Sequence, residues 1–347
     1  MKYYVSGPYN VPIIGRSQMP LSLNALMRHL RQAPISMDIK GTRQKRLLKN
    51  LGYYHGYKGY RFLGISENRI DLTSFDDLVA VSSFDMELKS LIYPEIMFIE
   101  TALKNYVLEA VLANSHSAVF EDVYARSMTR YREKDSTGKN GSKFYRDELR
   151  RRLRARSDIN GILYANCGSA AGGDPVIWHF LEQGKAVPIW ALFEELTLGQ
   201  FGNFYLTLGS NVKAAVASDL GLPRSCDGGK ILGNMIFVLK DLRNAIAHNR
   251  PIFDLRFKRE NPGKPVRNCL QFGAGVTNVN FDVITDYIVL MTYLLRRMGR
   301  SKTDCKRFAN SYLKLVSDKW NGLPGTTAAE VAGTDVRKKI AQLVAAL

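Results

Sequence analysis

Apolar side chains recur along this chain mainly at the three- and four-residue spacing of α-helices. One long amphipathic helix is predicted between residues 92 and 110 from the stripe Ile92, Ile96, Ile99, Leu103, Tyr106 and Ala110. A second helix is predicted from about 230 to 250, where Pro251 stops it, and a third from about 281 to 298. Segments 22–32, 144–156, 178–196 and 333–346 show the same period, and convincing alternating strands are few. The pattern therefore predicts an all-α fold.

Three segments, 134–142, 166–175 and 260–275, have the Gly, Pro, Ser and Asn content of turns and linkers. The first two bracket the basic helix 144–156, which predicts a projecting hairpin or insertion between them. We expect three regions in the chain. These are an N-terminal basic and aromatic region (1–85), a helical domain (86–300) with a basic insertion at about 122–175, and a C-terminal helical tail (301–347).

The formal net charge of +17 is concentrated in two tracts. Residues 28–61 contain nine Lys and Arg against one acid, and residues 122–156 contain twelve against five. Concentrated charge on an otherwise balanced chain favours a polyanionic partner, and the alternative is a merely solvated basic surface. Neither tract contains the helix predicted at 230–250, so we expect binding and chemistry to use separate surfaces.

Other features of the composition exclude several classes of protein. A content of 46% hydrophobic and 10% aromatic residues excludes disordered and collagen-like chains. The four cysteines lie far apart, with no C-x-x-C pair and no histidine at metal-ligand spacing, so we expect neither a metal nor another cofactor. The N-terminus lacks the apolar core of a signal peptide, and the longest apolar stretch is too short to span a bilayer. We therefore expect a soluble, cytoplasmic protein without a membrane partner.

The predicted helix 230–250 carries Arg243 in line with its apolar stripe. A guanidinium there is costly unless it meets an anion or lines a cleft. His248 would lie about 140° around the helix from Arg243, whereas Asn244 would share a face with His248. Histidine transfers protons near neutral pH, and arginine stabilises charge on a phosphate, so the group suits RNA cleavage without a metal. The alternative is an arginine and a histidine that merely cap a helix end.

The hexapeptide from Arg243 to His248, Arg-Asn-Ala-Ile-Ala-His, resembles the R-x4-H signature of HEPN domains in its R-N-x-x-A-H form, and Arg250 follows it as it often does. HEPN ribonucleases are all-α and pair two such helices into one composite, metal-independent site. The resemblance therefore implies a HEPN-like helical bundle and a homodimer that supplies both an acid and a base. It also implies that His248 is the acid/base, that Arg243 stabilises charge and that Asn244 positions the reacting groups.

A segment before this helix, Phe98 to Tyr106, resembles the E-x3-K/R element of many HEPN proteins. The resemblance implies that Glu100 and Lys104 support the site, together with Arg250. The alternative is an ordinary Glu–Lys pair one helical turn apart.

Two further segments resemble bacterial abortive-infection (Abi) phage-defence proteins of the AbiD/AbiF type. Residues 187–200 resemble their P-x-W-x3-E-x4-G segment, although periodicity alone predicts an amphipathic helix ended by Gly199. Gly52-Tyr53-Tyr54 followed by Gly59-Tyr60 resembles their G-Y-Y…G-Y signature. Here the spacing is one residue longer than usual, and His55 stands where an arginine is common.

Both basic tracts have features of an RNA-binding surface. In the first, cations run directly into tyrosines, which suits phosphate contacts and stacking of unpaired bases, and the alternative is tyrosines packed on the core. The second places six arginines in eleven residues, 146–156, with Leu149 and Leu153 expected to form the docking side. The predicted RNA-binding residues are Arg43, Lys45, Arg46, Lys49, Tyr53, Tyr54, Tyr57, Lys58, Tyr60, Arg61, Arg146, Arg150, Arg151 and Arg154.

Together, residues and resemblance predict an anti-phage protein that binds structured RNA and cleaves it. Similar Abi proteins are linked to small structured non-coding RNAs, so the alternative is a non-catalytic ribonucleoprotein built on a dedicated RNA. A DNA-binding regulator is a third hypothesis, although the sequence has no recognisable helix-turn-helix.

Overall fold

The computed structural model describes residues 22–32, 37–128, 141–168, 173–223 and 227–347. Over these ranges the protein is all-α and has no strand, which confirms the predicted fold class. A π-helical turn, Gly52–Tyr57, joins the second and third helices, and a 3-10 turn, Trp320–Gly322, follows the fourteenth. The helices are α1 (Leu23–Gln32), α2 (Gly41–Leu51), α3 (Lys58–Tyr60), α4 (Phe75–Ser115), α5 (Phe120–Arg126), α6 (Lys143–Cys167), α7 (Pro175–Glu182), α8 (Ile189–Glu195), α9 (Leu198–Thr207), α10 (Ser210–Asp219), α11 (Gly228–Ala247), α12 (Lys264–Gly273), α13 (Ile284–Arg297), α14 (Lys302–Lys319), α15 (Thr327–Ala332) and α16 (Val336–Ala346).

The helices surround two central elements, α4 and α13. Every residue of α13 from 284 to 295 is buried, which explains why its sequence is apolar on all sides. The 41-residue α4 packs against α10, α11, α13 and α14. Buried apolar side chains form one continuous cluster from Met27 to Leu343. One core therefore spans all three regions expected from the sequence.

Helix α4 begins well before the segment predicted as helical. Ser74 and Asp77 form a reciprocal capping box, in which the Asp77 amide donates to Ser74 Oγ at 3.2 Å and the Ser74 amide donates to Asp77 Oδ2 at 2.8 Å. The helix also continues through Pro94, which lies in its interior. The predicted stripe from 92 to 110 is thus the central part of a longer helix.

Two helix boundaries predicted between residues 178 and 200 are wrong. The single helix expected at 178–196 is two helices, α7 and α8, because Gly184 adopts a φ of +62° and Pro188 caps the start of α8. Gly199 does not end a helix but lies in the first turn of α9. That helix starts at Leu198 and is capped by Thr197, whose side chain accepts a hydrogen bond from the Gln200 amide at 3.3 Å.

Two predicted loops also need correction. The polar segment 260–275 contains α12, with Pro265 in its first turn, where the missing amide hydrogen has no cost. Helix α6 runs to Cys167 and α7 begins at Pro175, so both ends of the loop predicted at 166–175 are helical, and residues 169–172 lie outside the described ones. Nearly all of the loop predicted at 134–142 lies outside the described residues.

The C-terminal helices are fixed to the core by a buried ion pair. Lys339 of α16 lies 2.8 Å (Nζ–Oδ1) from Asp286 of α13, and both side chains are almost fully buried. The amides of Asn280 and Phe281 donate to the other carboxylate oxygen of Asp286, at 3.0 and 2.8 Å. Removing one partner of such a pair leaves the other charge buried and uncompensated.

Lys339→Met is therefore expected to lower the free energy of unfolding by about 1–3 kcal/mol, because Asp286 keeps its two amide donors but loses its cation. Lys338→Met is the matched control, because Lys338 is the exposed neighbour on the same helix. Urea unfolding of both variants measures the difference. Equal midpoints would show that the buried pair contributes no stability.

Candidate functional site

The structure brings Arg243, Glu100 and Lys104 together, although they come from two helices far apart in the sequence. Arg243 of α11 donates from Nε to Glu100 Oε2 of α4 at 3.0 Å. Lys104, one turn further along α4, lies 3.8 Å (Nζ–Oε1) from the same carboxylate. The Glu100 side chain is 6% exposed, whereas that of Arg243 is 26% exposed and reaches towards solvent. The arginine in the apolar stripe of α11 thus meets a buried anion.

Lys104 connects this group to α8. Its ammonium also donates to the main-chain oxygen of Glu194, at 3.3 Å. Burial lowers the pKa of Lys104, an effect that the negative charges of Glu100 and Glu194 oppose. Glu194 lies in the segment that resembles the P-x-W-x3-E-x4-G pattern. Three of the sequence motifs therefore meet at one junction of α4, α8 and α11.

The guanidinium of Arg243 has donor capacity left for an anion. Nε is bonded to Glu100, and Nη1 makes a long contact of 3.5 Å with Asn244 Oδ1. Among the residues that the structure describes, Nη2 has no hydrogen-bond partner. A phosphate oxygen could accept a hydrogen bond from Nη2 without displacing Glu100 from Nε.

Helix α11 ends before His248, not at Pro251 as predicted. Asn249 adopts a left-handed φ of +50°. Its amide donates to the Ile246 oxygen at 3.0 Å, and the Arg250 amide donates to the Ala245 oxygen at 2.8 Å. These two bonds form a Schellman motif, with His248 as the cap residue. The exposed His248 is therefore held at a fixed helix terminus, and Arg250 follows it outside the helix.

The loop after His248 is anchored by a buried carboxylate that the sequence does not single out. Asp85 of α4, 0% exposed, accepts from the amides of Ile252 and Phe253 at 2.7 and 2.9 Å. Lys89 lies 2.6 Å (Nζ–Oδ2) from Asp85 and also donates to Asn249 Oδ1 at 2.9 Å. The position of the helix end that carries His248 thus depends on a buried ion pair.

The same carboxylate fixes the aromatic segment. Tyr60 donates to Asp85 Oδ2 at 2.8 Å, and its ring stacks on Phe253 with centroids 5.8 Å apart. Burial and the Asp85 charge raise the pKa of Tyr60. Nearby, Arg256 donates from Nη2 to the Phe62 oxygen at 2.8 Å. The first basic tract and the end of α11 are therefore adjacent in the fold, where they share the buried Asp85. That binding and chemistry use separate surfaces stays a prediction.

Comparison with known families matches residues 46–254 to the family of Abi-like proteins, a span of more than half of the chain. The protein belongs to the Abi-like family. No curated protein and no solved structure gave a significant match. The match covers the G-Y-Y…G-Y segment, Glu100, Lys104 and the R-x4-H hexapeptide, so the junction described above lies within the family region.

Within this Abi-like chain the predicted RNA-contacting residues of the first tract differ in exposure. Tyr60 and Tyr57 are buried, at 1% and 8%, so the prediction that their rings stack on bases is wrong. Tyr54 is 73% exposed and meets Tyr53 edge-on, while Tyr53 stacks on Tyr57 at 5.4 Å. The exposed members are Arg43, Arg46, Lys49 and Tyr54, and the half-buried ones are Lys45, Tyr53, Lys58 and Arg61.

The cations beside these rings are also packed against them. Lys58 Nζ lies 5.4 Å from the centroid of the Tyr53 ring, and the Arg61 guanidinium lies at the same distance from that of Tyr57. Burial lowers the pKa of Lys58, and Arg61 lowers it further. The aromatic segment therefore presents one exposed ring, Tyr54, above a layer of stacked rings and cations.

The second basic tract of the Abi-like chain has a basic outer face on α6. Arg146, Arg150, Arg151 and Arg154 are exposed, and Arg150 and Arg151 pair with acids one turn earlier on the same helix. The docking side differs from the prediction, because Leu153 is 53% exposed. The buried residues of α6 are instead Arg152, Ala155, Ile159 and Asn166.

Arg152 is buried in place of a leucine because it finds partners there. Its guanidinium carbon lies 4.6 Å from the centroid of the Tyr124 ring, and Nη2 donates to the Tyr124 oxygen at 3.2 Å. An arginine whose stem packs and whose head is paired can therefore serve as the docking residue of a basic helix.

Two absences apply to the described ranges of the Abi-like chain. No cluster of three or more His, Cys, Asp or Glu side chains there could hold a metal ion. No helix there combines the length and the hydropathy needed to cross a bilayer.

Proposed function

We propose that this Abi-like protein is a cytoplasmic abortive-infection factor of the AbiD/AbiF type. Its HEPN-like bundle would bind structured RNA and cleave it without a metal ion. The family suggests abortive-infection phage defence. The observation that carries the catalytic part is the partly exposed Arg243, held by the buried Glu100, on the helix that ends at the exposed His248.

In the proposed reaction His248 removes the proton of an RNA 2′-hydroxyl, and the 2′-oxygen attacks the adjacent phosphorus. The bond from phosphorus to the 5′-oxygen breaks, and that oxygen takes a proton from the protonated His248 of a second copy. Arg243 stabilises the added negative charge on the phosphate, and Asn244 positions the reacting groups. Glu100 holds Arg243 in place, and Lys104 in turn holds Glu100. The products are a 2′,3′-cyclic phosphate and a 5′-hydroxyl end.

The requirement for both an acid and a base supports a homodimer in which two α11 ends meet. Each protomer would contribute one His248 and one Arg243. The exposed position of His248 outside the core is compatible with such a contact.

A second function, a non-catalytic ribonucleoprotein with a small non-coding RNA, has one observation in its favour. The Arg243–Glu100–Lys104 group accounts for the arginine as a structural ion pair, without any substrate. In that case the basic faces would hold an RNA that stays intact.

Purification without nuclease, followed by sequencing of the bound RNA and incubation of labelled RNA in EDTA, tests both functions. The proposed ribonuclease yields fragments with cyclic phosphate and 5′-hydroxyl ends. One intact RNA species that is never cut would support the ribonucleoprotein, and the absence of any bound or cleaved RNA would contradict both.

The basic face of α6 makes a separate prediction. Replacing Arg146, Arg150 and Arg154 by alanine should reduce the slope of log Kd against log salt by about 2, because each phosphate contact to a single strand contributes about 0.7. Filter binding between low and moderate salt measures this slope. The matched control removes the same charge outside both tracts, at Arg307, Arg337 and Lys338. Equal slopes for the two triple variants would show that α6 does not contact RNA.

A further inference from the structure

An open cavity of about 350 Å³ lies between α1 and α2, away from the junction that contains Arg243. Its wall carries three cations, Arg28 and Arg31 from α1 and Lys45 from α2. The buried Met27 forms its floor, and Asn24 and Thr42 add polar side chains. Arg28 and Arg31 were not among the residues predicted to bind RNA.

Among the residues that the structure describes, the three cations have no counter-charge in the cavity. None of the described lining residues is acidic. Two acids that contact the start of α2 or the residues before it pair with other cations, Asp38 with Lys40 at 3.0 Å and Asp76 of α4 with Arg43 at 3.1 Å. Within the described residues, Arg28, Arg31 and Lys45 make no ion pair, and Arg31 uses only its Nε, which donates to the Met27 oxygen at 3.3 Å.

Three like charges around one concave space repel each other unless an anion of comparable charge lies between them. A phosphodiester within an RNA chain carries one negative charge. A terminal phosphate carries between 1.5 and 2 at neutral pH and offers three acceptor oxygens. Arginine matches these oxygens with two parallel donors, and lysine adds a point charge. The cavity therefore suits a phosphomonoester better than a point along the backbone.

The cavity also adjoins the aromatic segment. His29, between the two cavity arginines on α1, lies 3.3 Å (Nε2–OH) from Tyr53, and Tyr53 contacts the exposed Tyr54. A strand whose end occupies the cavity can thus continue over Tyr54 towards the segment that adjoins the end of α11. The described part of the lining has no aromatic side chain, so it suits the phosphate and sugar of an end nucleotide, and Tyr54 would stack on the base.

We propose that the cavity between α1 and α2 binds the terminal phosphate of an RNA strand. This proposal rests on the proposed function in one respect, namely that RNA is the ligand. It adds a recognition site for the RNA end, which directs the strand along the aromatic segment.

The test compares the binding of three RNAs of one sequence, which carry a 5′-phosphate, a 3′-phosphate or hydroxyl groups at both ends. Fluorescence polarisation with an internal label gives each Kd. Wild type should bind one phosphorylated RNA about tenfold more tightly than the hydroxyl form, since a single charge-assisted hydrogen bond contributes that much. Arg28→Gln with Arg31→Gln should abolish this ratio. Arg46→Gln, an exposed cation on α2 outside the cavity, should weaken all three RNAs alike and preserve it.

Equal Kd values for the three RNAs with wild type would overturn the proposal, as would a ratio that survives the double substitution. If AMP at the same concentration as the RNA displaced the phosphorylated RNA completely, the phosphate that the cavity binds would not have to belong to an RNA strand, and that part of the proposal would be overturned. Equal binding of all three RNAs, with cleavage that depends on His248, would leave the proposed function standing while the cavity proposal fails. Failure to bind any RNA would count against both.

Discussion

His248→Ala is expected to lower the rate of RNA cleavage by a factor of about 10² to 10⁴, the usual contribution of a general acid or base. The side chain is exposed and caps α11 through its backbone alone, so its removal creates no cavity and breaks no described side-chain contact. Circular dichroism and thermal unfolding should therefore match the wild type. Single-turnover cleavage of labelled RNA in EDTA measures the loss.

The expected pattern separates catalysis from binding. The Kd of the His248→Ala variant for an uncleavable RNA with 2′-deoxy or 2′-O-methyl sugars should stay within about threefold of the wild-type value, because less than 1 kcal/mol of binding energy is then lost. His179→Ala, which removes an exposed histidine on α7 outside the proposed site, is the matched control. If the His248→Ala variant cleaved RNA at the wild-type rate, His248 would have no part in the mechanism.

Testing Arg243 needs more than one substitution, because Arg243 also pairs with the buried Glu100. Arg243→Ala leaves the buried Glu100 with Lys104 alone, at 3.8 Å, so lost activity could follow from lost structure. Combining Arg243→Ala with Glu100→Gln and Lys104→Met removes every charge of the group, and that triple variant should recover stability without recovering cleavage. Recovery of both would assign Arg243 a structural role.

Asp85→Ala is expected to lower the free energy of unfolding by about 3–5 kcal/mol, because it breaks a buried ion pair and leaves Lys89 charged and unpaired. The amides of Ile252 and Phe253 and the hydroxyl of Tyr60 lose their acceptor at the same time. Guanidinium unfolding, monitored by circular dichroism, measures the change.

The control for Asp85 is a carboxylate whose pair is exposed. Asp147 lies 3.5 Å from Arg150 on α6, with side chains 40% and 78% exposed, so Asp147→Ala should change stability by less than about 1 kcal/mol. A second variant, Lys89→Met with Asp85→Asn, removes both charges and should recover part of the stability. Indistinguishable unfolding of Asp85→Ala and Asp147→Ala would show that the buried pair does not hold the loop after His248.

The helical class follows from spacing alone, whereas a role for Glu100 near Arg243 follows only from the resemblance. A stripe of period 3.6 is a direct consequence of burying one side of a helix, and α4 and α11 both show it. An arginine in such a stripe is costly unless it meets an anion or lines a cleft, and only the resemblance to HEPN proteins indicates Glu100 as a supporting residue. The helical prediction needs only local spacing, so it carries over to the folded chain.

The Asp85 group is beyond such reasoning because its partners are separated by up to 168 residues. Nothing in the spacing around Asp85 or Tyr60 distinguishes a carboxylate that accepts loop amides from a solvated one. The docking side of α6 was mispredicted because it too depends on a residue of another helix. Leucine is the usual docking residue of a basic helix, but here the aromatic face of Tyr124 makes Arg152 the buried one.

The π-helical turn Gly52–Tyr57 explains how the fold accommodates a G-Y-Y…G-Y segment that is one residue longer than usual. A turn closed between residues five apart encloses one residue more than an α-helical turn. The π-helical turn therefore accommodates the extra residue. Helix α2 before the turn and Tyr60 after it can both stay packed on the core. Tyr54 and His55 bulge outwards as a result. Length variation at this point can alter the exposed surface around Tyr54 while the contact of Tyr60 with Asp85 stays unchanged.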